Sequence, residues 1–338
     1  MDQKSLLTRC FRWLPCMFWA GFLFMSGCRS KQPDTYLFRV SLWANEQHIW
    51  YQAFMHFAEK ADERSAGRLK IEVYPSEQLA KEVESIRLIQ AEVIDMTVTA
   101  SILSNWIEVA TFCEMPFLLR DSAEKSALLE GPIGQRVEQE MLDKLGLRPL
   151  GVFARGPRHL TSNRPIRHPD DLQGMILRVP NVPSFVTAWQ AMGAKPTPMA
   201  FSEVFTALQQ GTIEGQENPF SLTLNAGFAE VQDYVNLTEH VVSWSYPVVG
   251  EKQFQKLPPD LQAIFLETAR EMIDFQRALY ERDQAEVQAK LKERGMEFIE
   301  VDKAAFSERC EAAIFNSLSP EMQILYREFI ATHRSPKP

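Results

Sequence analysis

Cysteine is scarce in this sequence, which has five in 338 residues. It contains neither a CxxC pair nor a cluster of histidine and cysteine at metal-ligand spacing, so we expect no metal site. Cys113 and Cys310 lie far apart in the chain, and two distant cysteines do not form a disulfide framework. We therefore expect each of them to be a small buried hydrophobic residue.

Clusters of lysine and arginine are also missing, and the net charge is −8. This balance argues against nucleic acid as a partner, because phosphate binding needs a basic surface. It leaves room for a small anionic ligand, since a cleft can be locally positive on an acidic protein.

The motifs of common enzymes are absent as well. The sequence has no GxSxG elbow, no glycine-rich phosphate loop and no HExxH pair. We therefore expect a protein that is not an enzyme and that needs no cofactor.

The N-terminus has the pattern of a secretory signal peptide. Three basic residues precede an uncharged, mostly apolar segment over 13–27, which is shorter than the ~20 residues of a membrane helix. The sequence MSGC that ends at Cys28 is similar to a bacterial lipobox, with Met in the place of the usual Leu. This pattern predicts a signal peptide over 1–27, a lipid on Cys28 and a polar tether over 28–35. A plain signal peptide or an uncleaved anchor are the alternatives.

The sequence after this N-terminal segment alternates between patterns typical of strands and patterns typical of helices. Strand, helix, strand, helix and strand follow one another over 37–99, which predicts an open α/β domain, and a second such unit begins near Leu150. In that unit, Ser202 is expected to cap a helix that runs to about Gln210.

A long helical pattern follows the second unit. Apolar residues recur at helical spacing from Leu261 to Leu291, after Pro258-Pro259 and before Gly295. Some 35 residues at 1.5 Å each predict a helix of roughly 50 Å. Such a helix either spans two domains or extends into solvent.

Two arginines, Arg158 and Arg178, lie in segments that have strand or loop patterns. Arg178 follows Ile176 and Leu177 and precedes Val179, and an arginine in an apolar strand is costly to bury unless an anion pairs with it. The planar guanidinium matches a carboxylate in a bidentate fashion. The sequence therefore predicts a site for a small organic acid.

Three motifs in this region carry a family resemblance. LRVP at 177–180, PTPMAFSEV at 196–204 and GQENP at 215–219 resemble the substrate-binding proteins of TRAP transporters, the DctP-type family. The resemblance extends from about Phe38 through the C-terminal helices. It implies a two-lobe periplasmic binding protein of type II-like α/β fold, with a long helix spanning both lobes.

The resemblance also divides the chain. Lobe 1 is expected at 36–154 with 246–258 returning to it, lobe 2 at 155–245 with 296–338 packing on it, and the spanning helix at 259–295. The implied function is a periplasmic receptor, anchored in the membrane by its lipid alone, that delivers an organic acid to a TRAP permease. A ligand-sensing lipoprotein that reports to a signalling partner is the first alternative, and a secreted hydrolase is the second.

The resemblance assigns roles to several residues. Arg178 holds the ligand carboxylate, Arg158 occupies the family's second arginine position, and Asn218 occupies a ligand-binding asparagine position. Glu82 matches an acid that contacts ligand hydroxyls, and Phe201 is a candidate for stacking on the ligand. Simpler interpretations remain for four of these: a surface charge for Arg158, a turn residue for Asn218, a solvated first-turn acid for Glu82 and a core aromatic for Phe201.

Three further residues are expected near the ligand. Asn45 and His48 follow the first strand, where open α/β sheets bind ligands, although His48 has a plain surface histidine as its alternative. His240 matches a histidine of the relatives and is expected to contact the ligand-binding residues, not the ligand itself.

The ligand class follows from the rest of the site. Ala100 stands where the sialic-acid binders have a glutamate, which argues against sialic acid. Trp43 and Trp50 could pack a sugar ring, so a uronate or aldonate is favoured over a C4-dicarboxylate.

Overall fold

The computed structural model describes residues 34–334, in which the strands form two six-stranded sheets. The predicted leader at 1–27, Cys28 and most of the predicted tether lie outside the described residues. No helix within 34–334 combines the length and the apolar character that crossing a membrane requires.

The first sheet contains the strands predicted over 37–99 and a returning strand from much later in the chain. Its order is β2-β1-β3-β11-β4, and β5 pairs with β11 at the side. The strands are β1 (Tyr36–Ser41), β2 (Leu69–Tyr74), β3 (Met96–Thr99), β4 (Leu147–Pro149), β5 (Phe153–Ala154) and β11 (Trp244–Gly250). β1 runs parallel to β2 and β3, whereas β11 is antiparallel to β3 and β4.

The second sheet places the motif segments side by side. Its order is β12-β10-β6-β9-β7-β8. The strands are β6 (Arg158–Ser162), β7 (Ile176–Val179), β8 (Lys195–Pro198), β9 (Gly215–Asn218), β10 (Tyr234–Val241) and β12 (Glu297–Ile299). β9 lies between β6 and β7, and its register pairs Asn218 with His159 and Gln216 with Arg178.

Helices cover both sheets because each carries an apolar face. They are α1 (Ile49–Arg64), α2 (Glu82–Gln90), α3 (Ser122–Glu130), α4 (Pro132–Leu145), α5 (Pro183–Ala191), α6 (Val204–Gln209), α7 (Phe220–Asn225), α8 (Glu251–Gln255), α9 (Pro259–Glu293), α10 (Lys303–Ser317) and α11 (Pro320–His333). In α1, for example, Trp50, Phe54, Phe57 and Ala61 are buried at a spacing of three or four residues, which places them on one face. Short 3-10 turns occupy 101–105, 108–114, 169–172, 201–203 and 228–230.

The long helix α9 confirms the prediction from apolar spacing, with 35 residues. Its first half buries Leu261 and Phe265 in the core around β1 and α1. Near its other end, Leu291 packs with Val235 of β10 and Leu224 of α7. The helix therefore spans the two sheets and does not extend into solvent alone.

Two local predictions differ from the structure. The second unit, predicted to begin near Leu150, does not open with a continuous strand there, since β4 ends at Pro149 and β5 begins at Phe153. The prediction that Ser202 caps a helix is wrong, because a 3-10 turn already begins at Phe201 and α6 starts without a side-chain cap. Cys113 and Cys310 are both buried free thiols, as expected.

Candidate functional site

A cavity of about 490 Å³ lies between the two sheets, at the carboxyl ends of their parallel strands. Trp43 follows β1, Ala100 follows β3, and Arg178 and Asn218 lie at the ends of β7 and β9. Ligands bind at this edge of open α/β sheets, because the connecting loops there are free to form a crevice. The cavity is also lined by Glu82, Arg155, Arg158, Phe201 and Glu114.

Arg178 reaches this cavity from inside the second sheet. The residue is 4% exposed. Its Nε and Nη2 atoms donate to the carbonyl oxygen of Met199, at 3.0 and 2.6 Å. Within residues 34–334 it forms no ion pair, and burial lowers the pKa of the guanidinium to about 10. The Met199 carbonyl thus orients the side chain, while its charge remains without an acid.

Arg158 lines the same cavity but is already paired. Its Nε lies 2.5 Å from Oε2 of Glu217, and its Nη2 lies 2.7 Å from Oε1 of the same carboxylate. Although burial alone would raise the pKa of Glu217, Arg158 and His240 hold it at about 2. The charge of Arg158 is therefore matched inside the protein.

His240 lies behind this ion pair. Its Nε2 is 2.9 Å from Oε2 of Glu217, and its Nδ1 is 2.8 Å from Oγ1 of Thr238. Burial lowers the pKa of the imidazole. The histidine thus contacts the carboxylate that holds Arg158 and does not line the cavity itself.

A second buried ion pair, between Arg155 and Glu114, was not predicted from the sequence. Nη1 of Arg155 donates to Oε1 of Glu114 at 3.0 Å, and its Nε is buried without a hydrogen-bond partner among residues 34–334. Glu114 also accepts from the hydroxyl of Ser243 and lies 3.8 Å from Nη1 of Arg158. Burial alone would raise the pKa of Glu114, but the two guanidiniums hold it below its usual value. Arg155 lies only three positions before Arg158, but no motif marked it.

Glu82 is the first residue of α2 and lines the cavity. Its Oε1 accepts from the hydroxyl of Thr99 at 3.1 Å. Burial raises its pKa to about 7, because it outweighs the stabilisation of the charged form by the Thr99 hydroxyl and Arg155. Near neutral pH this carboxyl group is present in both forms, so it can donate as well as accept.

Asn218 and Phe201 complete the polar and aromatic lining. Nδ2 of Asn218 donates to Oε1 of Gln216 at 2.6 Å, which holds the amide at the end of β9. The ring of Phe201 lies 5.1 Å from that of Trp43, edge to face, and so joins the two sides of the cavity. Trp43 lines the cavity, whereas Trp50 is only 1% exposed and packs behind it. Of the two tryptophans considered for a sugar ring, the structure brings only Trp43 to the cavity.

Asn45 and His48 are not brought into this cavity. They line a smaller neighbouring cavity of about 170 Å³. Nδ2 of Asn45 donates to the carbonyl oxygen of Asn225 at 2.7 Å, so the amide ties the loop after β1 to α7. His48 caps α1 by accepting from the amide of Trp50, and burial lowers its pKa to about 3.

The sequence matches the family described as bacterial extracellular solute-binding protein, family 7 (DctP), over residues 40–321. A solute-binding protein of Roseobacter denitrificans is 44% identical over 280 residues, which cover 83% of this chain and 86% of the relative. The 2,3-diketo-L-gulonate-binding periplasmic protein YiaO of Escherichia coli K12 is 33% identical over 267 residues, which cover 78% of this chain and 80% of the relative.

The fold is similar to that of known receptor structures. The crystal structure of a TRAP periplasmic solute-binding protein from Roseobacter denitrificans with bound L-galactonate superposes with a TM-score of 0.85. That structure is 41% identical in sequence, and the match covers 88% of this chain and 100% of that one.

Proposed function

The chain belongs to the DctP family of bacterial extracellular solute-binding proteins, the receptors of TRAP transporters, and we propose that its ligand is a six-carbon sugar acid. An aldonate such as L-galactonate is the first candidate, and a hexuronate is the second. The ligand would lie in the 490 Å³ cavity between the two lobes.

The observation that carries this proposal is the unpaired charge of Arg178. A buried guanidinium in a region of low dielectric constant is stabilised by a carboxylate far more than a solvated one would be. Because Met199 holds Nε and Nη2 from one side, the ligand carboxylate would approach Nη1 from the cavity. Arg158 does not compete for it, since Glu217 already neutralises that charge.

The remaining lining favours a hydroxylated acid over a small dicarboxylate. Glu82, Asn218 and Arg155 offer further polar atoms in the cavity, and a ligand without hydroxyl groups would leave them unpaired at a cost. Trp43 and Phe201 supply an apolar wall for the carbon chain. The two relatives named for their ligands support the same class, since one binds L-galactonate and the other 2,3-diketo-L-gulonate.

Sialic acid is not part of the proposal. Ala100 lines the cavity at the position where the sialic-acid binders have a glutamate, so no carboxylate is supplied there. The small side chain leaves space for a hydroxyl group of a shorter ligand.

We further propose how the chain works as a whole. Lobe 1 is assigned to 36–154 and 246–258, lobe 2 to 155–245 and 296–338, and α9 joins them. The lobes would close on the ligand and the closed form would be recognised by a TRAP permease. A lipid on Cys28 would hold this receptor at the membrane of the periplasm.

Isothermal titration calorimetry with L-galactonate, D-glucuronate, succinate and sialic acid tests the ligand proposal. We expect the sugar acids to bind. Arg178→Ala should weaken their binding free energy by ~2–5 kcal/mol, the usual effect of removing one partner of a desolvated charge pair. Arg178→Lys should recover only part of this loss, because an ammonium group lacks the planar fork.

Arg309→Ala is the matched control, since Arg309 pairs with Asp170 on the surface and should not affect binding. Binding of sialic acid alone, or unchanged affinity in Arg178→Ala, would overturn the proposal. Nuclear magnetic resonance of the ligand after prolonged incubation should show no chemical change, whereas turnover would favour a hydrolase.

A further inference from the structure

A second cavity of about 510 Å³ shares no lining residue with the sugar-acid cavity. Adjacent residues reach the two cavities: Arg158 of β6 and Asn218 of β9 line the first, whereas His159 of β6 and Pro219, which directly follows β9, line the second. This follows from strand geometry, because successive side chains point to opposite faces of a sheet. We call the second cavity the rear groove; its other wall is the 280–290 segment of α9.

His159 is the most unusual group of the rear groove. The residue is 2% exposed, and its Nδ1 is buried without a hydrogen-bond partner among residues 34–334. Its ring lies flat on Phe220, with the ring centroids 4.3 Å apart. A buried polar atom without a partner is costly. Nδ1 itself has almost no accessible surface, so a ligand in the groove gains this hydrogen bond when the His159 ring turns on Phe220 to meet it. Because burial lowers its pKa to about 3, the imidazole is neutral and suits an uncharged partner.

The charged residues around the rear groove are already paired with each other. Arg282 lies 2.6 Å from Asp283, and Lys290 lies 2.6 Å from Glu286. Glu239 forms an ion pair with Lys303. Because these pairs cancel, the groove offers no unpaired charge of the kind that Arg178 provides in the other cavity.

The uncharged lining is rich in amides. Gln47, Gln52, Gln284 and Asn225 line the groove together with the hydroxyl group of Tyr280. An amide both donates and accepts, and so does an alcohol, which makes the two groups complementary. Apolar side chains, Phe220, Leu224 and Val287, lie between these polar groups.

We propose that the rear groove binds an uncharged polyhydroxylated compound, a neutral sugar or a polyol, with His159 as a buried hydrogen-bond partner and the amides around it. This site is separate from the sugar-acid site and does not depend on the proposed ligand of that site. Its walls include the start of α1, which belongs to the first lobe, and α7, which belongs to the second, so a compound bound there would contact both lobes.

Saturation-transfer nuclear magnetic resonance on the full chain tests this proposal. The probes are D-glucose, maltose, sucrose and myo-inositol at millimolar concentration, each with and without saturating L-galactonate. We expect at least one probe to receive saturation that galactonate does not displace.

Two variants on α9 locate the binding. Gln284→Trp should fill the groove. Ala285→Trp changes the next residue, which is exposed and does not line the groove, so it should have no effect. His159→Phe keeps an aromatic ring at this position and removes the unpaired nitrogen. The variant should therefore have unchanged or higher thermal stability. We expect Gln284→Trp and His159→Phe each to weaken the affinity for the probe by about tenfold or more; tenfold corresponds to ~1.4 kcal/mol.

Absence of saturation transfer for every neutral probe would overturn the rear groove proposal. Displacement of the neutral probe by galactonate would also overturn it. So would a loss of probe binding in Ala285→Trp equal to the loss in Gln284→Trp. Failure of galactonate itself to bind would contradict the proposed function and leave the rear groove test intact.

Discussion

Arg158 and Arg178 show how the same side chain can have two roles in one cavity. Both are buried and both reach the cavity. Arg158 meets a carboxylate of its own protein, whereas Arg178 meets a carbonyl oxygen, which orients the guanidinium without neutralising it. The partner, and not the residue type, therefore decides which arginine is left for an acidic ligand.

Arg158→Ala should lower the free energy of unfolding by ~3–5 kcal/mol, because it leaves Glu217 buried without its guanidinium. Urea denaturation measures this change. Replacing both partners by methionine should recover most of the loss, since the uncompensated charge is then removed as well. Unchanged stability combined with a selective loss of sugar-acid binding would instead make Arg158 a direct ligand contact.

Glu82→Gln should change the pH dependence of stability in a defined direction. The folded protein raises the pKa of Glu82 to about 7 from the usual 4.5, so between these pH values the native state holds a proton that the unfolded chain has released. Stability from this group is therefore lost as the pH rises through that window. Relative to the wild type, Glu82→Gln should gain up to about 3 kcal/mol between pH 4.5 and 7, at about 1.4 kcal/mol per pKa unit.

Denaturation of the wild type and of Glu82→Gln at a series of pH values gives the difference in their free energies of unfolding. The contributions of the other titrating groups cancel in this difference. Thr99→Val is a useful companion variant, because it removes the hydroxyl that stabilises the ionised form. A constant difference between wild type and Glu82→Gln would show that the pKa of Glu82 is ordinary.

The long helix α9 is held to the first sheet by a polar contact as well as by apolar packing. Gln276 is fully buried, its Oε1 accepts from the amide of Ala154, and its Nε2 donates to the carbonyl of the same residue, both at 2.8 Å. Ala154 ends β5, two residues before Gly156, where the chain passes to the second sheet. Gln276 thus binds α9 to the segment in which the chain passes from the first sheet to the second.

Gln276→Leu should lower the free energy of unfolding by ~2–4 kcal/mol, because it leaves the half-buried amide and carbonyl groups of Ala154 without this partner, at ~1–3 kcal/mol each. Gln284→Leu, at an exposed position of the same helix, is the matched control and should stay within ~0.5 kcal/mol. Equal and small effects of both variants in urea denaturation would show that the Ala154 contact contributes little.

The whole molecule combines two sheets, one spanning helix and a cavity whose lining comes from both sides. Contacts already cross this cavity: Lys81 pairs with Glu203, and Trp43 packs on Phe201. At this scale we propose that a lipid on Cys28 holds the receptor at the membrane.

Cys28→Ser should move the receptor from the membrane fraction to the soluble fraction, or block its processing, because a single modified residue carries the acyl chains. Fractionation and immunoblotting measure the distribution. Cys16→Ser changes a cysteine within the predicted signal peptide and should leave anchoring unchanged. Continued membrane partition of Cys28→Ser with normal processing would exclude the lipid anchor.

The sequence by itself determined features whose signal lies within a few neighbouring residues. Apolar spacing is enough to predict α1 and α9, and the alternation of strand and helix is enough for β1 to β3. Arg178 could be identified because its immediate neighbours in the strand are apolar, so its need for an anion is a local property. The motifs around it were sufficient to identify the family.

Only the tertiary structure decided which distant groups meet. Strand β11 returns to β3 from far along the chain, Glu217 pairs with Arg158 across two strands, and Glu114 pairs with Arg155. Asn45 lies outside the ligand cavity, because its amide donates to the carbonyl oxygen of Asn225 in α7, far along the chain. Local patterns record how a segment folds and which face it buries, but the partner of a buried charge depends on which strands become neighbours, and that is settled when the two sheets form and pack.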